Sequence, residues 1–448
     1  MNNFKPSFFS RFTKSVHGFD WYLVGIVITL LLIGLAYLAS ALTATTSADF
    51  TTEFGKQFVF ILIGCGICYG LYRLDYHKLV TAYKPMVIGS LVLLTIIFVP
   101  VVYTLIVAAV TGQSLPLLQQ DIAEKLKFVH YANNSIRWIQ IGSFQLQPSE
   151  LIKLIVLFYI AAIIRKNSTE WSVIKRPLYI IGYILLAIVL QPDLGNAVVL
   201  AVIIMTALWV SGLKLHYFVV IALLGAIFAT YFVFGVSFRS KRIQTWAYQN
   251  YCSQYPLSDL KSGRIAKEDR VGICKYFDFN IDKEADFYQT QNIRTAMASG
   301  GWFGVGYNQG EMKKLIPEKT NDGIIGVIGE ESGFLMVLLI LILYLLLFLR
   351  GISIADNAPD LEGRIIAAGI SIWILLQAFW NLTGMTGLIP MKGLPLPFIS
   401  EGGSAILSNL IAIGVLLNIS AQRELVAKTT KAGHSHKKHD RSKRFAYR

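Results

Sequence analysis

The sequence predicts an all-α polytopic membrane protein with about ten transmembrane helices and one long extracytoplasmic loop. Of its 448 residues, 54% are hydrophobic and only 15% are charged, and the mean hydropathy is +0.54. Long apolar runs recur along the chain, and most could cross roughly 30 Å of hydrocarbon as a helix. A water-soluble fold is therefore excluded, because soluble domains carry about 25% charged residues.

The apolar runs place the helices in chain order. The spans are expected at about residues 21–42, 56–73, 85–107, 147–164, 177–190, 193–211, 216–236, 323–349, 365–390 and 402–420. The runs on either side of Gln191-Pro192-Asp193 are short, so one broken helix or a re-entrant pair is the alternative there. The first run ends in the small residues Ala39-Ser40-Ala41, which have the form of a signal-peptidase site. Its apolar core is longer than that of a usual signal, so we expect a retained span.

Lysine and arginine in short loops predict the orientation, because they tend to remain in the cytoplasm. They cluster before the first span, after the second and fourth spans, and in the tail. We therefore expect a cytoplasmic segment at 1–20, a membrane domain at 21–420 and a basic cytoplasmic tail at 421–448, with both termini inside. The tail is either attracted to anionic lipid or is a solvated stop-transfer segment. We expect membrane lipids, and no nucleic acid, as partners.

Three acids begin apolar segments at what this orientation makes the outer ends of helices: Glu150, Asp193 and Asp322. One such acid ordinarily caps a helix or complements its dipole, whereas three on one side favour an extracytoplasmic site. The outer segments are 43–55, 108–146, 237–322 and 391–401. The loop 237–322 is too long to be a mere connection, and its glycines at 300–306 allow tight turns or close approach to a ligand.

The four cysteines divide by location. Cys65 and Cys68 lie inside an apolar span, where the spacing only places two small hydrophobes on one helix face. Cys252 and Cys274 lie in the long outer loop, where an oxidising environment permits a disulfide. A disulfide and two free thiols both remain open for this pair.

Several motifs together resemble those of the shape, elongation, division and sporulation (SEDS) polymerases. In chain order they are Asn134–Ile139, Gln147–Lys153, Gln191–Gly195, Ser299–Gly306, Ile316–Asp322, Gly329–Glu331 and Leu394–Ser404. Gln191–Gly195 and Leu394–Phe398 are closer to the elongation-type, RodA-like branch, whereas Lys392 is more typical of the division-type, FtsW-like branch.

The resemblance implies a glycosyltransferase of the bacterial cell membrane, which polymerises lipid II into peptidoglycan strands at the outer face during cell-wall synthesis and cell-shape maintenance. It also implies a divalent cation, Mg or Mn, and a class B penicillin-binding protein as partner. The essential acid of the family matches Asp322. Thr320 and Asn321 stand where the family often has His-Thr, and Gly323 stands where Phe is usual.

The chemistry assigns candidate roles to a few residues. Asp322 is the expected catalytic base for the attacking sugar hydroxyl. Glu150 and Lys153 share a helix face and either pair structurally or position substrate. Arg137 either holds pyrophosphate or anchors the chain at the interface. Asp193 either binds substrate or its cation, or caps a half-helix.

Two rival functions remain compatible with the sequence. A flippase for a lipid-linked precursor would also use buried charges and broken helices, and a scaffold would only recruit a transpeptidase. Glu330 and Glu331 lie about 12 Å deeper along the helix than Asp322, at 1.5 Å per residue. They either stabilise the bundle or contact the substrate's path.

Overall fold

The chain folds as a helical bundle with one small sheet. The computed structural model describes residues 19–44, 47–126, 128–132, 135–142, 144–166, 171–191, 193–234, 243–254, 271–276, 286–390 and 393–422. Its helices are α1 Trp21–Leu42, α2 Ser47–Arg73, α3 Tyr76–Thr81, α4 Tyr83–Thr111, α5 Leu115–Leu126, α6 Pro148–Lys166, α7 Trp171–Leu190, α8 Leu194–Val210, α9 Leu215–Phe234, α10 Asp286–Gly300, α11 Ile324–Asp356, α12 Leu361–Met385 and α13 Gly403–Gln422. The strands are β1 Val129–Ala132, β2 Ser135–Ile141 and β3 Phe144–Leu146.

A helix occurs at each of the predicted spans, which confirms the fold class. Helices α1, α2, α4, α11, α12 and α13 are long and apolar enough to cross a membrane, and α7, α8 and α9 contain shorter apolar stretches. The chain is a multi-pass membrane protein, while the count of about ten spans stays a prediction. Helix α7 ends at Leu190 and α8 begins at Leu194, so the helix is interrupted where the sequence predicted it, and the choice between two spans, one broken helix and a re-entrant pair stays a prediction. Most of the segment 1–20 and nearly all of the tail 421–448, both predicted to be cytoplasmic, lie outside the described residues, as does Lys392.

The region expected to be an outer loop at 108–146 contains structure that hydropathy does not reveal. Helix α5 leads into an antiparallel sheet of order β1-β2-β3, in which Val129 pairs with Ile139 and Ile139 pairs with Leu146. Ile136 and Ile139 of β2 pack with Ile97 of α4 in a small apolar cluster. The sheet is thus fixed to the bundle and carries Arg137 with it.

The centre of the bundle is formed by α12 and α13. In the apolar 18-residue stretch of each helix, 72% of the residues of α12 and 78% of those of α13 are buried, against 17% in α2. Helix α12 packs against α6, α8 and α11. Polar side chains of α12 therefore face other protein helices and can contact charged groups at the centre of the fold.

Helix α11 is broken near its N-terminal end. Gly333 has φ 72° and ψ −173°, a conformation that an L side chain rarely adopts, and a Cβ there would collide with the backbone of Trp302 and Gly304. The amides of Val305 and Gly306 donate to the carbonyls of Glu330 and Glu331, each at 3.0 Å. The glycine-rich passage therefore approaches α11 itself and satisfies the carbonyls that the break exposes.

Cys252 and Cys274, which the sequence predicts to lie in an outer loop, form a disulfide. Both are fully buried or nearly so, while Cys65 and Cys68 are free thiols. Of the two alternatives left open for Cys252 and Cys274, a disulfide or two free thiols, the structure contains the disulfide. The bridge closes 22 residues of sequence, which restricts this part of the long loop.

Three segments meet at His77 of α3, in the connection between α2 and α4 that the basic residues predict to be cytoplasmic. Its ring nitrogens contact Asp75 Oδ1 at 2.7 Å and Asp360 Oδ2 at 2.6 Å. Gln422 of α13 donates to the same Asp75 oxygen at 2.7 Å, and Tyr76 donates to the Asp360 carboxylate at 2.7 Å. The cluster joins the end of α2, the start of α12 and the end of α13.

The charges of this cluster shift its titrations. Burial lowers the pKa of His77, but the hydrogen bonds and charges of Asp75 and Asp360 outweigh it and leave that pKa raised. Burial raises the pKa of Asp75, but hydrogen bonds from Gln422 and His77 outweigh it and lower that pKa to about 2. The pKa of Asp360 is also lowered, because the Gly363 amide, Tyr76 and His77 outweigh its burial.

We expect the cluster to stabilise the fold most between about pH 4 and pH 6.5, the ordinary pKa values of Asp and His. The raised pKa of His77 gives stability that is present below pH 6.5 and is lost as pH rises through the folded-state pKa. The lowered carboxyl pKa values give stability that is lost as pH falls. Thermal unfolding of purified protein across pH 3–9 measures both limbs. His77→Gln should flatten the alkaline limb, whereas the same change at exposed His216 should leave it intact; equal effects would contradict this assignment.

Candidate active site

Asp322 lies at the end of a compact turn, residues 316–322, that leads into α11. The amides of Asn321 and Gly323 both donate to the Glu318 carbonyl at 3.0 Å, and Glu318 has a left-handed φ of 50°. A Cβ at Gly323 would lie 2.9 Å from Ile316 Cγ2, so the glycine lets this turn close. We call residues 316–322 the Asp322 turn.

Helix α12 holds the backbone of Asp322 through the side chain of Asn381. The side-chain amide nitrogen of Asn381 donates to the Asp322 carbonyl at 3.2 Å and to the Leu394 carbonyl at 2.8 Å. Gly393 lies so close to Asp322 that a Cβ there would collide with Asp322 Oδ2. Asp322 itself is partly exposed. Its carboxylate is thus placed between the Asp322 turn and the loop that begins at Gly393.

Glu150 and Lys153 form an ion pair of 2.8 Å with both side chains fully buried. Lys153 Nζ also donates to Asn196 Oδ1 and Gln377 Oε1, each at 3.1 Å, and it lies 4.7 Å from the Trp373 ring centroid. An ammonium has three protons to donate, and these three oxygens accept them. The pair of adjacent charges predicted on α6 is therefore present and is built into contacts with α8 and α12.

A polar row on α12 connects this pair to the Asp322 turn. Trp373, Gln377 and Asn381 follow one another at four-residue spacing and so share a helix face. Trp373 Nε1 donates to Gln377 Oε1 at 2.9 Å, and Gln377 Nε2 donates to the Pro395 carbonyl at 3.1 Å. The row runs from the Lys153 ammonium to the carbonyls of the Asp322 turn and the neighbouring loop.

Asp193 caps α8. Its Oδ1 accepts from the backbone amide of Asn196 at 3.3 Å. Its Oδ2 accepts from the side chains of Gln147 at 2.8 Å, Asn196 at 3.0 Å and Ser149 at 3.1 Å. Both carboxylate oxygens are thereby engaged in a buried site. These contacts favour the capping interpretation, and a role in substrate or cation binding stays a prediction.

Arg137 lies on β2, beside the apolar cluster of the sheet. Its guanidinium carbon is 5.9 Å from the ring centroid of Trp138, a cation–π distance, and the side chain is half-buried. The stacking fits the interfacial anchor as well as a phosphate ligand, so its role in holding pyrophosphate stays a prediction.

The acids of the Gly329–Glu331 motif are buried behind the break in α11. Glu331 Oε1 accepts from Lys313 at 3.0 Å and from Ser40 at 2.5 Å, and Glu330 Oε1 accepts from the Met312 amide at 2.8 Å. These contacts tie α1 and residues 312–313 to α11. Of the two roles left open for these acids, the contacts favour stabilisation of the bundle.

The family model described as cell cycle protein, FTSW_RODA_SPOVE, matches residues 20–256 and 262–425. The chain belongs to the FtsW/RodA/SpoVE family.

Relatives match this member of the family over nearly their full length. A protein of Trichlorobacter lovleyi named "Probable peptidoglycan glycosyltransferase FtsW" is 30% identical over 92% of this chain and 96% of its own. Stage V sporulation protein E of Bacillus subtilis is 31% identical over 90% and 96%. Both names belong to the FtsW and SpoVE side of the family. The preference for the RodA-like branch therefore has no support from these relatives, and an FtsW-like assignment fits as well.

Two solved structures share the fold. A chain of a peptidoglycan synthase complex has a TM-score of 0.61 and 22% identity, covering 91% of this chain and 99% of that one. RodA of Thermus thermophilus has a TM-score of 0.58 and 22% identity, covering 91% and 98%. The FtsW/RodA/SpoVE fold thus extends over the membrane domain of this chain.

The cation implied by the family has no preassembled protein cage in the described part of the chain, where no group of three or more His, Cys, Asp or Glu side chains is placed to hold a metal. Magnesium is commonly bound by one or two carboxylates together with substrate phosphates. The expectation of a divalent cation therefore stays open for a cation that binds together with the pyrophosphate of the expected substrate.

Sequence reasoning missed the residues that join the site together. Gln377 and Asn381 are single amides in an apolar helix, and their sequence signal was the four-residue spacing with Trp373. Lys313 gave no signal, because its partner Glu331 is 18 residues away. These contacts are long-range or depend on helix packing, which hydropathy does not report.

Removing one partner of the central ion pair tests its role. Lys153→Met leaves the Glu150 carboxylate buried without its cation, and we expect it to destabilise the protein by about 3–5 kcal/mol. The double variant Glu150→Leu with Lys153→Met removes both charges and should recover most of that loss. Unfolding of purified protein in detergent measures both.

The same double variant separates a structural pair from a substrate-binding one. A folded double variant that retains function would show that the pair only supports the bundle. A folded but inactive one would assign it to substrate. A single Lys153→Met variant as stable as the wild type would contradict the burial argument itself.

Proposed function

We propose that this chain is a peptidoglycan glycosyltransferase that polymerises lipid II at the outer face of the bacterial cell membrane, with Asp322 as the catalytic base. The observation that carries the proposal is the position of Asp322, a partly exposed carboxylate in a turn whose backbone is fixed by Asn381. The family membership and the name of the Trichlorobacter lovleyi relative support the activity.

The reaction requires few groups from the protein. The hydroxyl of one sugar attacks the anomeric carbon of another, its proton passes to the Asp322 carboxylate, and the bond to the lipid pyrophosphate breaks. Direct displacement inverts the anomeric centre and needs no covalent intermediate. A bound divalent cation would supply neutralising charge for the departing pyrophosphate.

The remaining candidates have supporting roles in this proposal. Glu150 and Lys153 position substrate through the polar row of α12, or support that row. Arg137 is proposed to hold the pyrophosphate. The outer placement of the site rests on the Lys and Arg distribution, which predicts both termini inside. We further propose a class B penicillin-binding protein as partner, because polymerised strands need a transpeptidase.

The cellular role is either elongation or division. The names of the relatives fit division as well as elongation. Depletion of the protein distinguishes the roles, since rounding of cells indicates elongation and filamentation indicates division.

A flippase is the second candidate, because helices broken within the membrane often line transport sites and α11 is broken at Gly333. In this chain the carbonyls of Glu330 and Glu331 at the break already accept hydrogen bonds from the loop at 305–306. They are therefore engaged within the protein, which favours a structural break over a transport site.

We expect Asp322→Asn to lower chain synthesis by about 10²–10⁴-fold, the usual contribution of a general base. The assay is purified protein with lipid II and Mg²⁺ or Mn²⁺, in the absence of any other polymerase, with glycan chains resolved by gel. Asp121→Asn, the same change at an exposed acid of α5, is the matched control. Wild-type protein that makes no chains would overturn the enzyme proposal, and normal synthesis by Asp322→Asn would overturn the assigned base.

A further inference from the structure

An open cavity lies where α3 meets the end of α6, away from the candidate active site. Its volume is about 360 Å³, near the lower end of the roughly 300–1,000 Å³ that is usual for ligand pockets. Among the residues that the structure describes, its lining consists of His77, Lys78, Thr81, Ala82 and Arg165. Three of these five residues are basic, and a cleft lined by charges of one sign attracts the opposite charge. The cavity therefore favours an anion.

Two of the basic side chains are oriented by acids at the start of α12. His77 Nε2 contacts Asp360 Oδ2 at 2.6 Å, and Arg165 Nε contacts Glu362 Oε1 at 3.0 Å. Neither acid contributes to the described lining of the cavity. A guanidinium has five hydrogens to donate, and the Glu362 contact uses the one on Nε. Arg165 is thus held in place before a ligand binds, which lowers the entropic cost of binding.

Lys78 supplies the third positive charge. Its side chain is exposed, and its ammonium has three protons to donate. Both ring nitrogens of His77 contact carboxylates, and the Thr81 hydroxyl donates to the His77 carbonyl at 2.7 Å. Lys78 and Arg165 are therefore the direct donors to a ligand, while His77 adds charge when it is protonated. An ammonium and a guanidinium beside one cavity fit a phosphate group, which accepts several charge-assisted hydrogen bonds at once.

The cavity lies at the ends of membrane helices. Lys78 is on α3, just before α4 begins at Tyr83, and Arg165 is one residue from the end of α6. Helices α3 and α4 both pack against α6. Farther along α4, the side chains of Ile88 and Val92 are exposed, so this helix offers apolar surface to the acyl chains of a lipid. Basic pockets between membrane helices bind the head groups of anionic phospholipids at the cytoplasmic side, the side to which the basic residues assign this end of the bundle.

We propose that this cavity binds a phosphate group, and that the head group of an anionic phospholipid is its source. The Lys78 ammonium and the remaining Arg165 hydrogens donate to the phosphate oxygens. A ligand that binds only the folded protein raises its stability. Because His77 and Arg165 also contact the start of α12, an occupied cavity stabilises the packing of α3 and α6 against that helix.

Native mass spectrometry of the full chain in detergent measures the binding. Wild-type protein titrated with phosphatidylglycerol should retain one such lipid more tightly than further copies. It should also retain that lipid more tightly than phosphatidylcholine, in which a choline cation offsets the phosphate charge. Lys78→Ala should weaken this first binding step by about tenfold, the effect expected from losing a hydrogen bond to a charged group. Lys78 carries the test because a change at Arg165 would also remove the Glu362 contact.

Lys84→Ala is the matched control. Lys84 is also exposed and lies in the first turn of α4, at the same end of the bundle, but it does not contribute to the described lining of the cavity. The control should leave the first binding step unchanged. Equal weakening by Lys78→Ala and Lys84→Ala would indicate general attraction to the basic surface and would overturn the site. Equal retention of the two lipids by the wild type would overturn it as well.

Thermal unfolding distinguishes the two sources of phosphate. Phosphatidylglycerol should raise the unfolding midpoint of the wild type and of Lys84→Ala more than that of Lys78→Ala. Glycerol 3-phosphate at the same concentration, which has the phosphate without acyl chains, should leave all three midpoints unchanged. A rise with glycerol 3-phosphate that depends on Lys78 would overturn the lipid source in favour of a soluble phosphate compound. The absence of a Lys78-dependent rise with either ligand would overturn the proposal, and neither readout depends on chain synthesis.

Discussion

The buried ion pair between Lys153 and Glu150 is the interaction on which the centre of the bundle depends. A charge inside the membrane costs several kcal/mol unless it is paired and hydrogen-bonded. The Lys153 ammonium meets this requirement with oxygens from three helices, Glu150 on α6, Asn196 on α8 and Gln377 on α12. None of these helices can rotate or slide without leaving a charge unsatisfied, so the pair fixes their relative positions.

The same requirement extends from the centre to the site. Gln377 accepts from Lys153 through its side-chain oxygen and donates from its side-chain nitrogen to the Pro395 carbonyl. The side-chain nitrogen of Asn381 donates to the carbonyls of Asp322 and Leu394. The irregular backbone beside the bundle is thereby paired with side chains of a helix that cannot move. At the break in α11, backbone amides of the glycine-rich passage donate in the same way to the Glu330 and Glu331 carbonyls. Irregular backbone is tolerated here because protein groups satisfy it.

Hydropathy predicted the helices because burial in lipid acts on each segment separately. The sequence also predicted that Glu150, Lys153 and Asp193 lie near the starts of helices. Helix spacing placed Glu150 and Lys153 on one face. The sheet at 129–146 was not predicted, because its strands are short and pair within a region whose composition is typical of a loop. The Gln57–Ser400 and Lys313–Glu331 contacts join residues that are not neighbours in sequence. Such contacts depend on helix packing, about which a single sequence carries no signal.

The residues around Asp322 that depart from the family pattern fit the turn observed in this chain. A Cβ at Gly323 already lies 2.9 Å from Ile316, so a phenylalanine there would require Ile316 or the turn to move. Thr320 is short, and its backbone carbonyl accepts from the backbone amide of Glu401 at 2.9 Å. The Asn381 contact is made by the Asp322 backbone and does not depend on either neighbour. Substitutions at 320 and 323 can therefore change how the turn packs while Asn381 still fixes where the carboxylate begins, which is why an altered motif can keep its acid in place.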